Sequence, residues 1–388
     1  MICRTPIAGL VAACLLPAAA AHGLEVDRRI GNGHLSIAIS ARDGGAVCSL
    51  VHDGQELVND HDHGRQLQYA WIYNDLGEPY NPTEAGSDLD QMKPTSTTHV
   101  LDVRSTATSL TTVCQPAYWF TPGRHPHTVN TAPVTNDVLT KTITLGHQGD
   151  RRVAVLDARV AVAAVPTGPA VTDIRIEAPT LYAHAVLSDH MIFDVRTGEE
   201  RPVPPPKGMR KDQMNTRINR VTEHWRVPLL SSADGLHALA FYTPRAQDYW
   251  GSFTWDVPSE DPTNACTKLT AFFKHPAQAG KTYDYRTFLA VGTLAQVKES
   301  LRAWGRGGVR AGPRRGGTGP AERGPHGREP TTVMARRVGS SGTWICSTRS
   351  RRASPRVLFS SRTDRLSRIV IVPRGARKRL PDSTTSAA

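Results

Sequence analysis

Residues 35–58 read LSIAISARDGGAVCSLVHDGQELV. Leu35 to Ile39 alternates large apolar residues with smaller ones, which is the pattern of a half-buried strand. Ala46 to Val51 and Glu56 to Val58 are two further apolar runs, and Asp53-Gly54 between them is a strong signal for a tight hairpin turn. The stretch therefore predicts antiparallel strands joined by short turns.

Strand-like runs continue along the chain to about residue 292, with turn signals between them and almost no helical pattern. This organisation predicts an all-β fold, a large antiparallel β-sandwich of the supersandwich type. The further predicted strands are 67–72, 99–103, 110–114, 139–145, 153–165, 236–242, 267–273 and 283–291.

One short C-terminal helix is predicted after the last strand. Thr293 and Gln296 have the spacing of a capping box, and Val297, Leu301 and Trp304 recur on one helical face. This helix is expected to close the domain by packing on a sheet.

A proline-rich segment, Pro202 to Pro206, lies between two strand regions. Proline fixes φ and removes a backbone donor, so the segment is predicted to be extended and outside any sheet. Together with the polar residues that follow, it forms either a flap over one end of the sandwich or a surface loop.

The N-terminus predicts export, to the periplasm or the extracellular space. Arg4 precedes an apolar run from Ile7 to Leu16, and the small residues Ala18 to Ala21 suit cleavage, which makes residues 1–21 a signal peptide. The alternative is a lipid anchor on Cys14. The apolar run is too short to be a lasting membrane span, and no other segment approaches that length.

The charge of the chain is concentrated at its C-terminus. From Arg306 onward lie 19 of the 47 Lys and Arg residues and four of the 35 Asp and Glu residues, so this tail is strongly basic and the remainder slightly acidic. The sequence therefore predicts a folded domain over residues 22–305 and a basic, disordered tail over 306–388. The tail is either a nucleic-acid-binding arm or the product of a slipped reading frame, and the second interpretation is preferred because the change is abrupt. No nucleic-acid partner is predicted for residues 22–305, because this part of the chain has no excess of basic residues.

Three cysteines lie in the body, Cys48, Cys114 and Cys266. In an exported protein, Cys48 and Cys114 are a candidate disulfide because both lie on strand-like runs. The sequence leaves the pairing open. No Cys-x-x-Cys or His-x-x-x-His spacing indicates zinc, and no metal or cofactor is predicted.

The most polar stretch of the body is residues 59–68, NDHDHGRQLQ, and it supplies several candidate site residues. His63 and Arg65 are candidate catalytic residues, and Gln66 and Gln68 offer donors for hydroxyl or carboxylate groups of a substrate. Two alternatives remain: a metal site at residues 60–63, or a solvated loop in which Arg65 forms a salt bridge. Glu84, in the run Tyr80 to Gly86, is a further candidate substrate-binding residue.

The order of Gly44 to Leu50, Glu56 to Val58 and Gly64 to Gln68 resembles the opening of galactose mutarotase-like β-sandwich proteins. Such proteins include sugar epimerases, polysaccharide lyases and non-catalytic sugar-binding domains. The resemblance implies carbohydrate as the partner, and in the epimerases a His acid and a Glu or Asp base act on the sugar. The candidate acids are His125, His127, His184, His190 and His224, and the candidate bases are Glu84 and Glu223.

Aromatic residues near these histidines are candidate platforms for a sugar ring. Tyr118 and Trp119 precede His125 and His127, and Glu223-His224-Trp225 is predicted to begin a strand that places Glu223 and Trp225 on one face. Further candidate platforms, with core packing as the alternative, are Tyr249, Trp250 and Trp255.

Motifs for other chemistries are missing from the sequence. It contains no Gly-x-Ser-x-Gly elbow and no Gly-x-Gly-x-x-Gly after a strand. The sequence therefore predicts an exported carbohydrate-active protein with epimerase-like or polysaccharide lyase-like chemistry. The alternative is a non-catalytic glycan-binding or envelope structural domain.

Overall fold

The computed structural model describes residues 27–307 except 75, 124–129, 167–169, 206, 208–213, 245–247 and 256–262, and four strands between residues 333 and 372. The predicted signal peptide, with Cys14, and the candidate acids His125 and His127 lie outside the described residues.

β-strand is the main secondary structure of the described chain. The strands and the helix are, in chain order, β1 (Arg28–Gly31), β2 (Leu35–Ile39), β3 (Val47–His52), β4 (Gln55–Glu56), β5 (Leu67–Tyr73), a 3-10 turn (Glu78–Tyr80), β6 (Pro82–Thr83), β7 (His99–Ser105), β8 (Ser109–Gln115), β9 (Ala117–Tyr118), β10 (Val138–His147), β11 (Asp150–Ala161), β12 (Asp173–His184), β13 (Asp189–Asp194), β14 (Glu200–Val203), β15 (Met214–Val221), β16 (Arg226–Ser231), β17 (Ala238–Tyr242), β18 (Tyr249–Trp255), β19 (Cys266–Pro276), β20 (Thr282–Gly292), α1 (Leu294–Gly307), β21 (Val333–Val338), β22 (Thr343–Thr348), β23 (Arg356–Ser360) and β24 (Arg368–Val372).

Two large antiparallel sheets form the sandwich, as predicted. The first has the order β1-β2-β3-β5-β12-β19-β18-β15, with β4, β6 and β9 attached at its side. The second has the order β14-β13-β16-β17-β20-β11-β10-β8-β7. Each strand turns alternate residues toward the other sheet, and those residues form one continuous apolar core.

The alternation of residues in strand β5 determines which side chains face the core between the two sheets. Its residues Leu67, Tyr69, Trp71 and Tyr73 belong to the core, so the intervening Gln68 and Ala70 point to the opposite face of the first sheet. The hairpin between β3 and β4 turns at Asp53 and Gly54, both of which have positive φ, as a two-residue turn of this type requires.

Helix α1 packs on the outside of the second sheet. Val297, Leu301 and Trp304 are buried in a second apolar cluster against β17 and β20. Its N-terminus is a reciprocal capping box: the Gln296 amide donates to Thr293 Oγ1 (3.3 Å), and the Thr293 amide donates to Gln296 Oε1 (2.9 Å). The predicted helix is confirmed.

Two predictions about secondary structure are wrong. The proline-rich segment was predicted to lie outside any sheet, but Pro202 and Val203 belong to β14. This strand is at the edge of the second sheet, where a proline that lacks an N–H group removes no hydrogen bond between strands. Glu223 to Trp225 form a turn before β16, since the Arg226 amide donates to the Glu223 carbonyl (2.9 Å).

The candidate disulfide between Cys48 and Cys114 is not formed. The two residues lie on different sheets, in β3 and β8, and both have free thiols. Cys114 is buried in the core, whereas Cys48 donates to the Ala38 carbonyl within its own sheet (3.5 Å). Burial raises the pKa of the Cys48 thiol to about 12, and the nearby Asp43 and Asp60 add to the effect.

The C-terminal region, residues 314–388, is a compact unit of its own. Its described strands β21, β22, β23 and β24 form a sequential antiparallel sheet. The domain boundary at residue 305 and the disorder of the remaining tail stay predictions.

Candidate functional site

The imidazole of His63 is fully buried between two backbone carbonyls. Its Nε2 lies 2.7 Å from the Arg42 carbonyl oxygen, and its Nδ1 contacts the carbonyl oxygen of Gln91. Both ring nitrogens therefore have partners within the protein, and neither faces a space that a substrate could enter.

The buried amide of Gln66 joins three acidic residues. It donates to Asp60 Oδ1 (2.8 Å), to Asp43 Oδ1 (3.2 Å) and to the Asp62 carbonyl. Arg42 donates to Asp60 Oδ2 (2.7 Å). Burial and the neighbouring Asp43 raise the pKa of the Asp60 carboxyl to about 6, although Gln66 and Arg42 oppose the shift.

Arg65 is bound by a residue distant in sequence. Its NH1 donates to Asn264 Oδ1 (2.7 Å) and to the Asn264 carbonyl, and its Nε lies 3.2 Å from Asp62. The preceding Gly64 packs under Trp119, whose ring would be 3.0 Å from a Cβ at residue 64. Arg65 therefore ties the loop that precedes β5 to Asn264, and the Trp119 ring packs over Gly64 in the same loop.

Glu84 forms an ion pair with Lys141 in the interior of the sandwich. Both side chains are at most 1% exposed, and the Lys141 ammonium also donates to the Gly45 carbonyl (3.1 Å). The Glu84 carboxylate accepts from the Tyr69 amide (3.0 Å). Burial raises the pKa of Glu84, and Lys141 opposes that rise. Gln68 lies next to this pair and accepts from the Ala85 amide (3.1 Å).

Other predicted site residues lie elsewhere. Glu223 pairs with Arg226 (3.2 Å), and His224 packs against Trp225, which contacts the cluster under α1. His190 is buried and bonded to Ser252 Oγ (2.9 Å), and burial lowers its pKa to about 3.

Tyr118 lines a cavity of about 270 Å³, together with Tyr80, Thr135 and Asp137. The Asp137 carboxylate accepts from Trp71 Nε1, Tyr73 OH and the Ala163 amide, at 2.7–3.1 Å. Its oxygens are therefore already engaged in holding β5 against the second sheet.

A different set of polar and aromatic residues lies on the outer face of the first sheet. Strand pairing aligns Tyr182, Lys268 and Phe253 in one row across β12, β19 and β18. A second row aligns Glu177, Phe272 and Tyr249. We call the half-buried aromatic residues of this surface the aromatic face; they are Tyr182, Tyr249, Phe253, Trp255 and Phe272.

An ion pair connects the two rows. Lys268 Nζ lies 2.9 and 3.1 Å from the two carboxylate oxygens of Glu177. The same Nζ is 5.1 Å from the ring centre of Tyr182 and 5.5 Å from that of Phe253, within the range of a cation–π contact. Burial alone would lower the pKa of Lys268, but Glu177 and Tyr182 outweigh it and raise the pKa, so the ammonium is retained.

Two hydroxyl groups near this ion pair have no hydrogen-bond partner. Thr180 and Thr270 are opposite one another between the two rows, and their Oγ1 atoms are buried and unpaired. A β-bulge between Glu177 and Thr180 turns both of these residues to the outer face. Buried polar groups that lack a partner in the protein are generally completed by ordered water.

A second carboxyl group lies beside the pair. Glu78, in the 3-10 turn, accepts from Asn81 Nδ2 (2.6 Å) and interacts electrostatically with Lys268 and Glu177. Nearby protein atoms desolvate the Glu78 carboxyl and raise its pKa, although the residue is exposed; Asn81 and Lys268 oppose the shift, and Glu177 adds to it. The phenol of Tyr182 is kept neutral, because burial raises its pKa to about 12 despite Lys268.

Guanidinium groups flank the second row. Arg175 lies 5.2 Å from the ring centre of Phe272, and Arg220 lies 5.6 Å from that of Tyr249, while the two rings are 4.4 Å apart. Of the three further candidate platforms named from the sequence, Tyr249 and Trp255 lie on the outer face of the first sheet, and Trp250 lies in the core.

Sequence reasoning missed the central residues of this face. The signal was present in Asp173 to Glu177, which alternates charged residues with isoleucine, the pattern of a half-buried strand. Among the described residues, no group of three or more His, Cys, Asp or Glu side chains converges as metal ligands would, and no helix has the length and apolar character needed to cross a membrane.

No protein-family model and no curated protein matches the chain. Among solved structures it is similar to a galactose mutarotase-like protein from Lactobacillus casei, with 14% identity, a TM-score of 0.42, and coverage of 68% of this chain and 99% of that one. It is also similar to a galactose mutarotase related enzyme from Lactobacillus acidophilus, with 9% identity, a TM-score of 0.41, and coverage of 69% and 98%. A third is heparan sulfate lyase from Pedobacter heparinus, with 8% identity, a TM-score of 0.33, and coverage of 89% and 40%.

Proposed function

We propose that this protein binds carbohydrate on the aromatic face and acts there as an epimerase-like proton-transfer catalyst outside the cytoplasm. The observation that carries the proposal is the Glu177–Lys268 ion pair, which lies among half-buried aromatic rings. Sugars offer C–H faces to aromatic rings and hydroxyl groups to charged side chains, so this surface suits both parts of a sugar.

The roles of the charged residues follow from their surroundings. Glu78 has a raised pKa and is suited to donate a proton. Glu177 is held as an ion pair with the Lys268 ammonium and is suited to accept one. Two carboxyl groups in different environments are a common basis for acid–base catalysis. Lys268 positions Glu177, and the Tyr182 phenol, kept neutral, is a hydrogen-bond donor.

Non-catalytic glycan binding is the second candidate function. It is favoured by the tight engagement of Lys268, which is 8% exposed and bonded to both oxygens of Glu177. In that case the ion pair stiffens the surface, and the aromatic rings alone contact the sugar.

Polarimetry of sugar mutarotation, combined with a binding titration, distinguishes these functions. For the catalyst, Glu177→Gln and Glu78→Gln slow turnover at least 100-fold while binding falls less than tenfold, because loss of one proton-transfer group costs about 10²–10⁴ in rate. Binding without turnover in the wild-type protein supports the non-catalytic function. No binding of any neutral sugar, uronate or oligosaccharide contradicts both.

A further inference from the structure

A cavity of about 300 Å³ lies between the edge strands of the two sheets. Strand β14 is at the edge of the second sheet and β15 is at the edge of the first, and residues of both strands line the cavity together with one residue of β13. None of the five residues of the aromatic face lines it. Most of its lining residues are apolar, but they include two arginines, one from each edge strand: Arg201 and Arg217.

Arg217 is a half-buried cation whose charge is not balanced by an ion pair. Its Nη2 donates to the Val203 carbonyl (3.1 Å), which ties β15 to β14, whereas its Nε is buried and has no hydrogen-bond partner. Asp189 acts on Arg217 electrostatically and opposes the lowering of its pKa by burial, but no carboxylate of the described residues forms an ion pair with this guanidinium. A guanidinium carries five N–H donors, so most of those of Arg217 remain for another acceptor.

The rest of the lining indicates what kind of acceptor fits. Arg201 adds a second, exposed positive charge from β14, and it also borders a neighbouring cavity that contains Asp194 and Glu199, so Arg217 is the principal cation here. Arginine binds carboxylate and phosphate oxygens through paired N–H donors. The apolar residues beside the two arginines offer surface to the body of an organic molecule rather than to a small hydrated ion; they include Ile192, Pro202, Pro204 and Val221.

We propose that this cavity binds a small organic carboxylate, which accepts hydrogen bonds from Arg217 and packs its apolar body against Ile192, Pro202 and Val221. The volume is at the lower end of the range for small-molecule sites, about 300–1,000 Å³, so the ligand has the size of a single ring. Because the lining comes from both sheets, the bound carboxylate links their edges. This site does not depend on the function proposed for the aromatic face. The simpler alternative is a cavity filled by water alone.

Calorimetric titration of the full chain with benzoate tests the site, and benzamide is the neutral ligand of the same shape. The site variant is Arg217→Gln. Its matched control is Arg159→Gln, which removes one positive charge from an exposed ion pair with Asp284. We expect benzoate to bind the wild type and Arg159→Gln equally, and Arg217→Gln at least about tenfold more weakly, because charge-assisted hydrogen bonds are lost. Benzamide, which lacks the charge, and inorganic phosphate, which lacks the apolar body, should each bind the wild type at least about tenfold more weakly than benzoate.

Equal benzoate affinities of the wild type and Arg217→Gln would overturn the proposal, as would no binding of benzoate to the wild type. Benzamide or phosphate binding as tightly as benzoate would also contradict it. If Arg217→Gln does not fold, Arg201→Glu replaces it, since this change is on an exposed side chain. Like-charge repulsion should then weaken benzoate binding at least about fivefold, and an unchanged affinity would contradict the site.

The variant Phe253→Ala separates this site from the aromatic face. It should bind benzoate as the wild type does, because Phe253 does not line the cavity. A loss of benzoate affinity in Phe253→Ala would place the carboxylate on the aromatic face and overturn the proposal, whatever the outcome for sugars.

Discussion

The loop that includes residues 59–68 and the outer face of the first sheet are both rich in polar groups, but the two regions differ in accessibility. In the loop, the side chains of His63 and Gln66 are fully buried, and the ring nitrogens of His63 and the amide nitrogen of Gln66 contact oxygen atoms of the protein. On the aromatic face, the five aromatic side chains are half-buried and retain some exposed surface. A dense polar motif in a sequence can thus be the internal framework of a fold, while the ligand site is assembled from residues scattered over several strands.

The largest effect on stability is expected at the buried ion pair. Lys141→Ala leaves the Glu84 carboxylate uncompensated in the core and should lower the free energy of unfolding by about 3–5 kcal/mol. Urea unfolding of the variant measures the loss. The double variant Lys141→Met, Glu84→Leu is the control and should recover much of that free energy. A loss below about 1 kcal/mol in Lys141→Ala would mean that the Glu84–Lys141 pair does not stabilise the interior as described above.

The largest effect on ligand binding is expected on the aromatic face. Phe253→Ala removes a ring next to Lys268 and should weaken sugar binding about tenfold, because aromatic contacts contribute about 0.5–1.5 kcal/mol each beyond the area they bury. The matched control is Tyr283→Phe, which keeps a ring at the edge of the core and should leave the dissociation constant unchanged. Equal affinities of the wild type and Phe253→Ala would place the sugar elsewhere.

The acidic cluster of the loop predicts a pH dependence of stability. The pKa of Asp60 in the folded protein, about 6, is above the 3.8 that is usual for an aspartate side chain, so the folded state favours the protonated carboxyl. Its contribution is fully present below pH 4 and is lost as the pH rises through about 6. Compared with Asp60→Asn, the wild type should therefore become less stable over this interval. A constant difference between the two unfolding curves from pH 4 to 7 would contradict the assignment.

The smallest effect is expected at Glu223. This residue was a candidate base, but it is paired with Arg226 in a turn near α1. Glu223→Gln should change sugar affinity and turnover less than twofold, as measured by the same titration and polarimetry. A loss of turnover comparable to that of Glu177→Gln would restore the sequence-based assignment.

Much of the fold could be predicted from the sequence. The alternation of large and small residues predicted β2 with its observed ends, and the spacing of Thr293 and Gln296 predicted the start of α1. Both patterns depend only on residues close together in the sequence. The site could not be predicted in the same way. Lys268 meets Glu177 only because β12 pairs with β19 across 91 residues, and a bulge resets which residues of β12 face outward. The role of His63 was also hidden, since its partners are backbone carbonyls that no sequence pattern identifies.

The central claim, that the aromatic face binds carbohydrate, is tested most directly by thermal unfolding of the wild type and Phe253→Ala against neutral sugars, uronates and oligosaccharides. A ligand present at about 100 times its dissociation constant stabilises the native state by about 2.7 kcal/mol. We predict that one class of sugar raises the unfolding temperature of the wild type by several degrees and that of the variant by much less. A shift of equal size in both proteins, or no shift with any sugar, would contradict the claim.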